Sequence, residues 1–313
     1  MMKNVLKLVV GHIPLIPLIF SVFSQTVSPP RVLDAFPVWT APVPRDKANT
    51  LFYPKPTVGN NIFKGEAEKW LSDAVIKIDG GGSTPINDKE VSDYVSEVGM
   101  NLVKYSREPN GHFTFVVVND SKENAMNISN GRIYITLGML KAVENEDELA
   151  GVIAHEIGHD AFRHLPKTVT RQLFWMKGIT KINSAADVEK ALSQLEEAYE
   201  KNQFAAAGEL LLGWSRNDEA TADKSAFYNM YKAGYNPRAL ETVFKRFVQT
   251  EKDEWGESYG SIQFLTFLFG THPPTPLRIT AVQWESNWIK MPPKEERYKS
   301  AAFDAMKARV SKM

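Results

Sequence analysis

GVIAHEIGHDAFRH, running from Gly151 to His164, carries the pattern H-E-x-x-H at His155, Glu156 and His159. On a helix, residues four apart are separated by ~400° of rotation, so the two imidazoles lie within ~40° of each other, one turn apart. Two neutral imidazoles at that spacing can share one Zn²⁺. Glu156 follows His155 directly, where its carboxylate can reach a water on the metal. A metal lowers the pKa of such a water to ~7, so a nearby carboxylate can take its proton. The pattern therefore offers two metal ligands and a general base. The competing reading is a chance match on an amphipathic surface helix.

The surroundings weigh against chance. Asn145 followed by Glu148 predicts a helix N-cap with its N3 partner. Leu149, Val152, Ile153 and Ile157 place apolar side chains at helical spacing. A largely apolar helix that still carries His and Glu is expected to be buried, and buried ionisable groups need partners. Downstream, Glu219 and Asp223 are again four apart, with Ala220, Thr221 and Ala222 between them. These small residues allow a second helix to approach the first. Glu219 as a third ligand would complete two His and one Glu with an open position, the pattern of catalytic zinc. Asp223 would then accept from a ligand histidine and fix its tautomer. Read alone, the two carboxylates would be an acidic helix start that stabilises its own dipole.

Composition narrows the choice. The 313 residues allow one large domain or two small ones. Net charge is zero, which does not suggest an electrostatic nucleic-acid binder. With no cysteine there is no disulfide framework, no thiolate zinc site and no cysteine nucleophile. Any metal must be held by His and carboxylate, and one Zn²⁺ per chain is expected.

Residues 1–24 read as a signal peptide: Lys3 and Lys7 lead into a mostly apolar run, and Val22-Phe23-Ser24 resembles a cleavage site. The alternative is an uncleaved N-terminal anchor, although Pro14 and Pro17 interrupt the run. An exported location follows, periplasmic or extracellular, with the N-terminus as the point of any membrane association. Residues 25–85 read as a proline- and aromatic-rich arm with a short helix from Gly65 to Ile78. Asn87 is expected to cap a helix whose buried stripe is Val91, Tyr94, Val95, Val98 and Leu102. Phe113 to Val118 and Arg132 to Leu137 read as strands, and Asp120 to Asn130 as a polar connection. Residues 165–215 read as a helical cover or lid, or as an ordinary solvated hairpin. His272 sits on a proline-stiffened turn, Gly270 to Ile279. It would donate to a developing oxyanion, or occupy the open metal position in a resting form, or bond backbone like any loop histidine. Arg278 would bind a carboxylate in the site or brace the loop.

Five stretches together resemble the HtpX and CAAX-endopeptidase type of zinc metallopeptidase, peptidase family M forty-eight. They are ENAMNISNGRIYITLGML, NEDELAGVIAHEIGHDAFRH, SRNDEATADKSAF, YKAGYNPRALETVFKRF and GTHPPTPLRITAV, in the family's order and within residues 86–310. The resemblance implies an α+β, mainly helical gluzincin fold, with a small sheet packed on the motif helix and a metallopeptidase domain over residues 86–313. It implies His155, His159 and Glu219 as metal ligands and Glu156 as base. It also implies that Arg132, Ile133, Tyr134 and Ile135 lie on a strand edge that receives an extended protein or peptide substrate. The chain looks more like soluble exported members linked to envelope protein quality control than like the membrane-embedded ones. Its expected partners are protein or peptide substrates, with membrane or envelope-complex association as a further expectation, and no nucleic acid. An exported chaperone or assembly factor, or a latent protease, remains the alternative function.

Overall fold

A computed structural model describes residues 61–79, 84–200, 216–255, 275–288 and 300–313. The expected signal peptide, the arm up to residue 60, residues 201–215 of the expected cover and His272 all lie outside the described residues. Among those described, no helix is long and apolar enough to cross a membrane.

The described helices are α1 (Glu66–Asp79), α2 (Lys89–Val103), α3 (Leu137–Ala142), α4 (Glu146–Ala161), α5 (His164–Lys177), α6 (Ala185–Glu200), α7 (Arg216–Ala233), α8 (Ala239–Trp255), α9 (Thr275–Trp288) and α10 (Ala301–Val310). Three strands, β1 (Thr114–Val118), β2 (Ala125–Asn127) and β3 (Arg132–Thr136), form one sheet in the order β1-β3-β2. β3 runs parallel to β1 and antiparallel to β2.

The motif helix α4 is the centre of the body. Asn145 caps it, its Oδ1 accepting from Glu148 N–H at 2.9 Å. The Glu148 carboxylate reaches back to Glu144 N–H at 2.9 Å, one residue earlier than a standard capping box. Every residue from Asp147 to Ala161 is buried. Burying side chains such as Ile153 and Ile157 contributes about 1.5–3 kcal/mol each.

The sheet lies between two apolar layers. One face contributes Phe115, Ile133 and Ile135 to a core shared with α2, α4, α7, α8 and α10. The other contributes Val118 and Tyr134 to a second core built on α1, α5 and α6. Residues 61–79 are therefore part of the body, with Phe63 and Leu71 buried at 1% and 0% exposure. The described part of 165–215 likewise packs its apolar side into the second core through Leu165, Val169, Leu192 and Leu195.

Several expectations need correction. The cap of α2 is Asp88, not Asn87: its Oδ1 accepts from Val91 N–H at 3.0 Å, and an anionic cap suits the helix N-terminus better. The expected polar connection contains β2. More consequentially, β3 is the central strand. Arg132, Ile133, Tyr134 and Ile135 spend both backbone edges on β1 and β2, so they cannot receive a peptide strand. Arg132 also donates to Asp73 at 2.6 Å. The edge next to α4 belongs to β2. Asn124 and Ile128 bond toward β3, so by alternation Ala125 and Asn127 direct their main-chain groups away from it.

The turn from β2 to β3 is left-handed at Ser129, Asn130 and Gly131, with φ of 68°, 55° and 72°. A Cβ on Gly131 would run into the His112 carbonyl, so only glycine fits there. Gly131 N–H donates to Asp160 at 3.0 Å, which ties the hairpin to the end of α4.

Candidate metal centre

α4 and α7 cross where Gly158 faces Ala222. A Cβ on Gly158 would sit 3.0 Å from Ala222 Cα and 3.1 Å from its carbonyl oxygen, so the helices meet nearly backbone to backbone. That approach brings Glu219 to the two histidines. One donor atom each from His155, His159 and Glu219 lies within 4.8 Å of the others, and all three residues are buried. The two Nε2 atoms are 2.9 Å apart. Glu219 Oε1 is 3.3 Å from His159 Nε2, and its Oε2 is 3.5 Å from His155 Nε2.

Asp223, one turn further along α7, places Oδ1 2.9 Å from His155 Nδ1. That contact leaves His155 Nε2 to face the donor cluster. Arg278 binds carboxylates in the site, the first of its two sequence readings, and they are the chain's own. Its Nε and Nη2 both donate to Asp223 at 2.7 Å, and its Nη1 lies 3.3 Å from Glu219 Oε2. All three guanidinium nitrogens thus face the chain's own carboxylates. Phe244 lies under the guanidinium, 4.1 Å from ring centroid to Cζ. Arg278 braces the donor set and does not wait for a substrate carboxylate.

Charge tests the fit to a metal. Glu156, Glu219 and Asp223 are buried carboxylates set against the Arg278 guanidinium. Burial disfavours a charged His155, but hydrogen bonds to Asp223 and Glu219 outweigh it and raise its pKa to about 9. The Asp223 carboxyl, which burial would push up, is held below the usual range by Arg278. The cluster therefore draws positive charge, and two imidazole nitrogens with one carboxylate oxygen are a donor set that suits zinc.

Glu156 faces the β2 edge. Its Oε2 accepts from Asn127 N–H at 2.8 Å. A cavity of about 50 Å³ opens beside it, lined among others by Ala125, Val152, His155, Leu240, Val243 and Phe244. The structure thus brings His155, Glu156, His159, Glu219, Asp223 and Arg278 together. It leaves Arg132 to Ile135 in the middle of the sheet.

The model of Peptidase family M48 matches residues 86–286, well over half of the chain. The chain belongs to Peptidase family M48. This is a metallopeptidase family, and the buried His-His-Glu group lies within the matched residues. The Beta-barrel assembly-enhancing protease of Escherichia coli (strain K12) is 26% identical over 211 residues, which is 66% of this chain and 42% of that relative. The Mitochondrial metalloendopeptidase OMA1 of Schizosaccharomyces pombe is 26% identical over 190 residues, 61% of this chain and 51% of the relative. Metalloprotease YcaL of Escherichia coli is 26% identical over 229 residues, 70% of this chain and 82% of the relative. The chain spans less than half the length of the beta-barrel assembly-enhancing proteases it matches.

Two residues beside the site escaped the sequence reading. His164 is 2% exposed and stands against His159, with their Nδ1 atoms 2.9 Å apart. Its signal was present as the last residue of the opening stretch, but it lies off the four-residue helical spacing. Asn127 was hidden because a three-residue strand has no periodicity to read.

Proposed function

We propose that this chain is a zinc-dependent endopeptidase that hydrolyses peptide bonds of exported or membrane-associated proteins, including misfolded ones. The single observation that carries the reading is the Asn127–Glu156 contact, which holds a carboxylate between a strand edge and the His155, His159, Glu219 group. When bound, zinc would supply Lewis acidity, polarising a carbonyl and lowering the pKa of a water toward neutrality.

The chain's own residues do the rest. His155, His159 and Glu219 would hold the ion. Asp223 and Arg278 keep His155 and Glu219 oriented. An extended substrate lies along β2, pairing with the main-chain groups of Ala125 and leaving Asn127 N–H on Glu156. Glu156 takes the proton of the attacking water and delivers it to the leaving amine. The apolar cavity beside it receives a substrate side chain. His272, three residues before α9 in the sequence, donates to the oxyanion. Export rests on the N-terminal reading of residues 1–24, and the name of one relative, Beta-barrel assembly-enhancing protease, supports an envelope setting.

The test is hydrolysis of unfolded casein by the wild-type protein and by Glu156→Gln, with zinc measured on both. The amide keeps the acceptor for Asn127 N–H but cannot take a proton, so cleavage should fall by a factor of 10² or more, the scale of general-base catalysis, with zinc retained. Equal cleavage by the two proteins would refute Glu156 as the base. Zinc in both with cleavage by neither would favour a chaperone or a latent protease, and His272→Ala would then separate those two.

A further inference from the structure

The donor group accounts for one nitrogen of each histidine. Asp223 accounts for the second nitrogen of His155. The second nitrogen of His159 meets not a carboxylate but another imidazole. His159 Nδ1 and His164 Nδ1 are 2.9 Å apart, and the rings stand edge to face with centroids 4.9 Å apart. On the far side of His164, its Nε2 is 3.4 Å from Asp218 Oδ1. Phe162 stacks against the His164 ring, with centroids 5.8 Å apart and planes 22° apart.

The backbone is bent to make this contact. α4 ends at Ala161 and α5 begins at His164, and between them Arg163 adopts the left-handed conformation with φ of 57°. A non-glycine residue there costs free energy, so its surroundings must hold it. Arg163 is held from several sides: Nη1 donates to the Asp160 carbonyl at 2.7 Å, Nε lies 3.0 Å from Glu68, and Nη2 lies 2.7 Å from Glu108. The break turns the chain so that His164 comes back onto His159 instead of continuing along α4.

Tautomers then follow in sequence. If His159 gives Nε2 to a metal, its proton must be on Nδ1, and Nδ1–H donates to His164 Nδ1. His164 must then carry its own proton on Nε2, the nitrogen that faces Asp218. We infer that His164 is a positioning residue for the metal centre, fixing the tautomer and ring plane of His159, and that Asp218 fixes His164 in turn. Ligand histidines usually donate their other N–H to a carboxylate, a carbonyl or water; here an imidazole stands between His159 and the carboxylate. Asp218 immediately precedes Glu219, so the first turn of α7 supplies the third donor and steadies the second. This inference rests on the metal reading proposed above.

The experiment measures zinc affinity by chelator competition on the full chain, the visible spectrum of the cobalt-substituted protein, and the urea stability of the metal-free form. Three variants are compared with wild type. His164→Phe keeps a ring against Phe162 but removes the acceptor. His164→Gln restores an acceptor. Asp218→Ala spares the buried ring altogether. Expected are zinc binding about 10–100-fold weaker in His164→Phe, the range for lost partners of ligand histidines, with a shifted cobalt spectrum, most of the loss recovered in His164→Gln, and a weakening of about tenfold in Asp218→Ala. Wild-type zinc affinity in His164→Phe, or equal losses in His164→Phe and His164→Gln, overturns the inference. If His164→Phe does not fold, an unchanged affinity in Asp218→Ala overturns it. Wild-type protein that binds no zinc would instead remove the metal reading itself.

Discussion

At the scale of single residues, the centre is held together by charges that need one another. Arg278 neutralises Asp223 and faces Glu219, both about 2–3% exposed. Arg278→Met should therefore leave two buried carboxylates without their cation and destabilise the metal-free protein by about 3–5 kcal/mol in urea denaturation. A loss below ~1 kcal/mol, the scale of a surface pair, would contradict the bracing role. Asp160 offers a pH test. Burial raises its carboxyl to about 7, with Arg163 and Gly131 N–H only partly offsetting this. A raised carboxyl favours the folded state at low pH, and that contribution is lost as pH rises from the ordinary carboxylate value through about 7. Asp160→Asn keeps an acceptor for Gly131 and carries no charge. The stability of wild type relative to Asp160→Asn should thus fall between pH 5 and pH 8, measured on metal-free protein; a rise would refute the sign. The residues legible in the sequence were those on regular helical spacing: His155 and His159, Glu219 and Asp223. Arg278 was seen, but its partners were not, because they come from another helix. His164 was passed over because its use depends on a left-handed break that no spacing announces.

At the scale of elements, the decisive contact is the crossing of α4 and α7. Gly158 has its hydrogen where a methyl would press on the Ala222 backbone. Gly158→Ala should cost about 1–3 kcal/mol, the usual cost of overpacking, and Gly158→Val more. Because the crossing carries Glu219 to the histidines, both variants should also bind zinc more weakly in the same order, read by chelator competition. Unchanged affinity in Gly158→Val would mean that the helix spacing does not set the site. The small residues of Glu219-Ala-Thr-Ala-Asp223 announced this approach, and the apolar positions of α4 announced its burial. β2 was illegible for a physical reason. Its three residues become a strand only through pairing with β3, and pairing on both sides, with β1 and with β2, makes β3 the central strand.

At the scale of the whole molecule, one sheet serves two apolar layers, and α4 is the element on which sheet, α7 and α8 converge. The second layer was the least legible part. α1 follows a proline-rich run, and α5 and α6 are charged on their outer sides, so the sequence offered an arm and a cover where the structure has a second core. The central claim concerns the first layer: that the fold assembles one zinc site from two helices. Diffraction from crystals of the purified chain, recorded at the zinc absorption edge, tests it most directly. The account predicts one anomalous peak per chain, bonded to His155 Nε2, His159 Nε2 and a Glu219 oxygen at about 2.0–2.2 Å. A zinc peak elsewhere, or none at these atoms in zinc-saturated crystals, would contradict it.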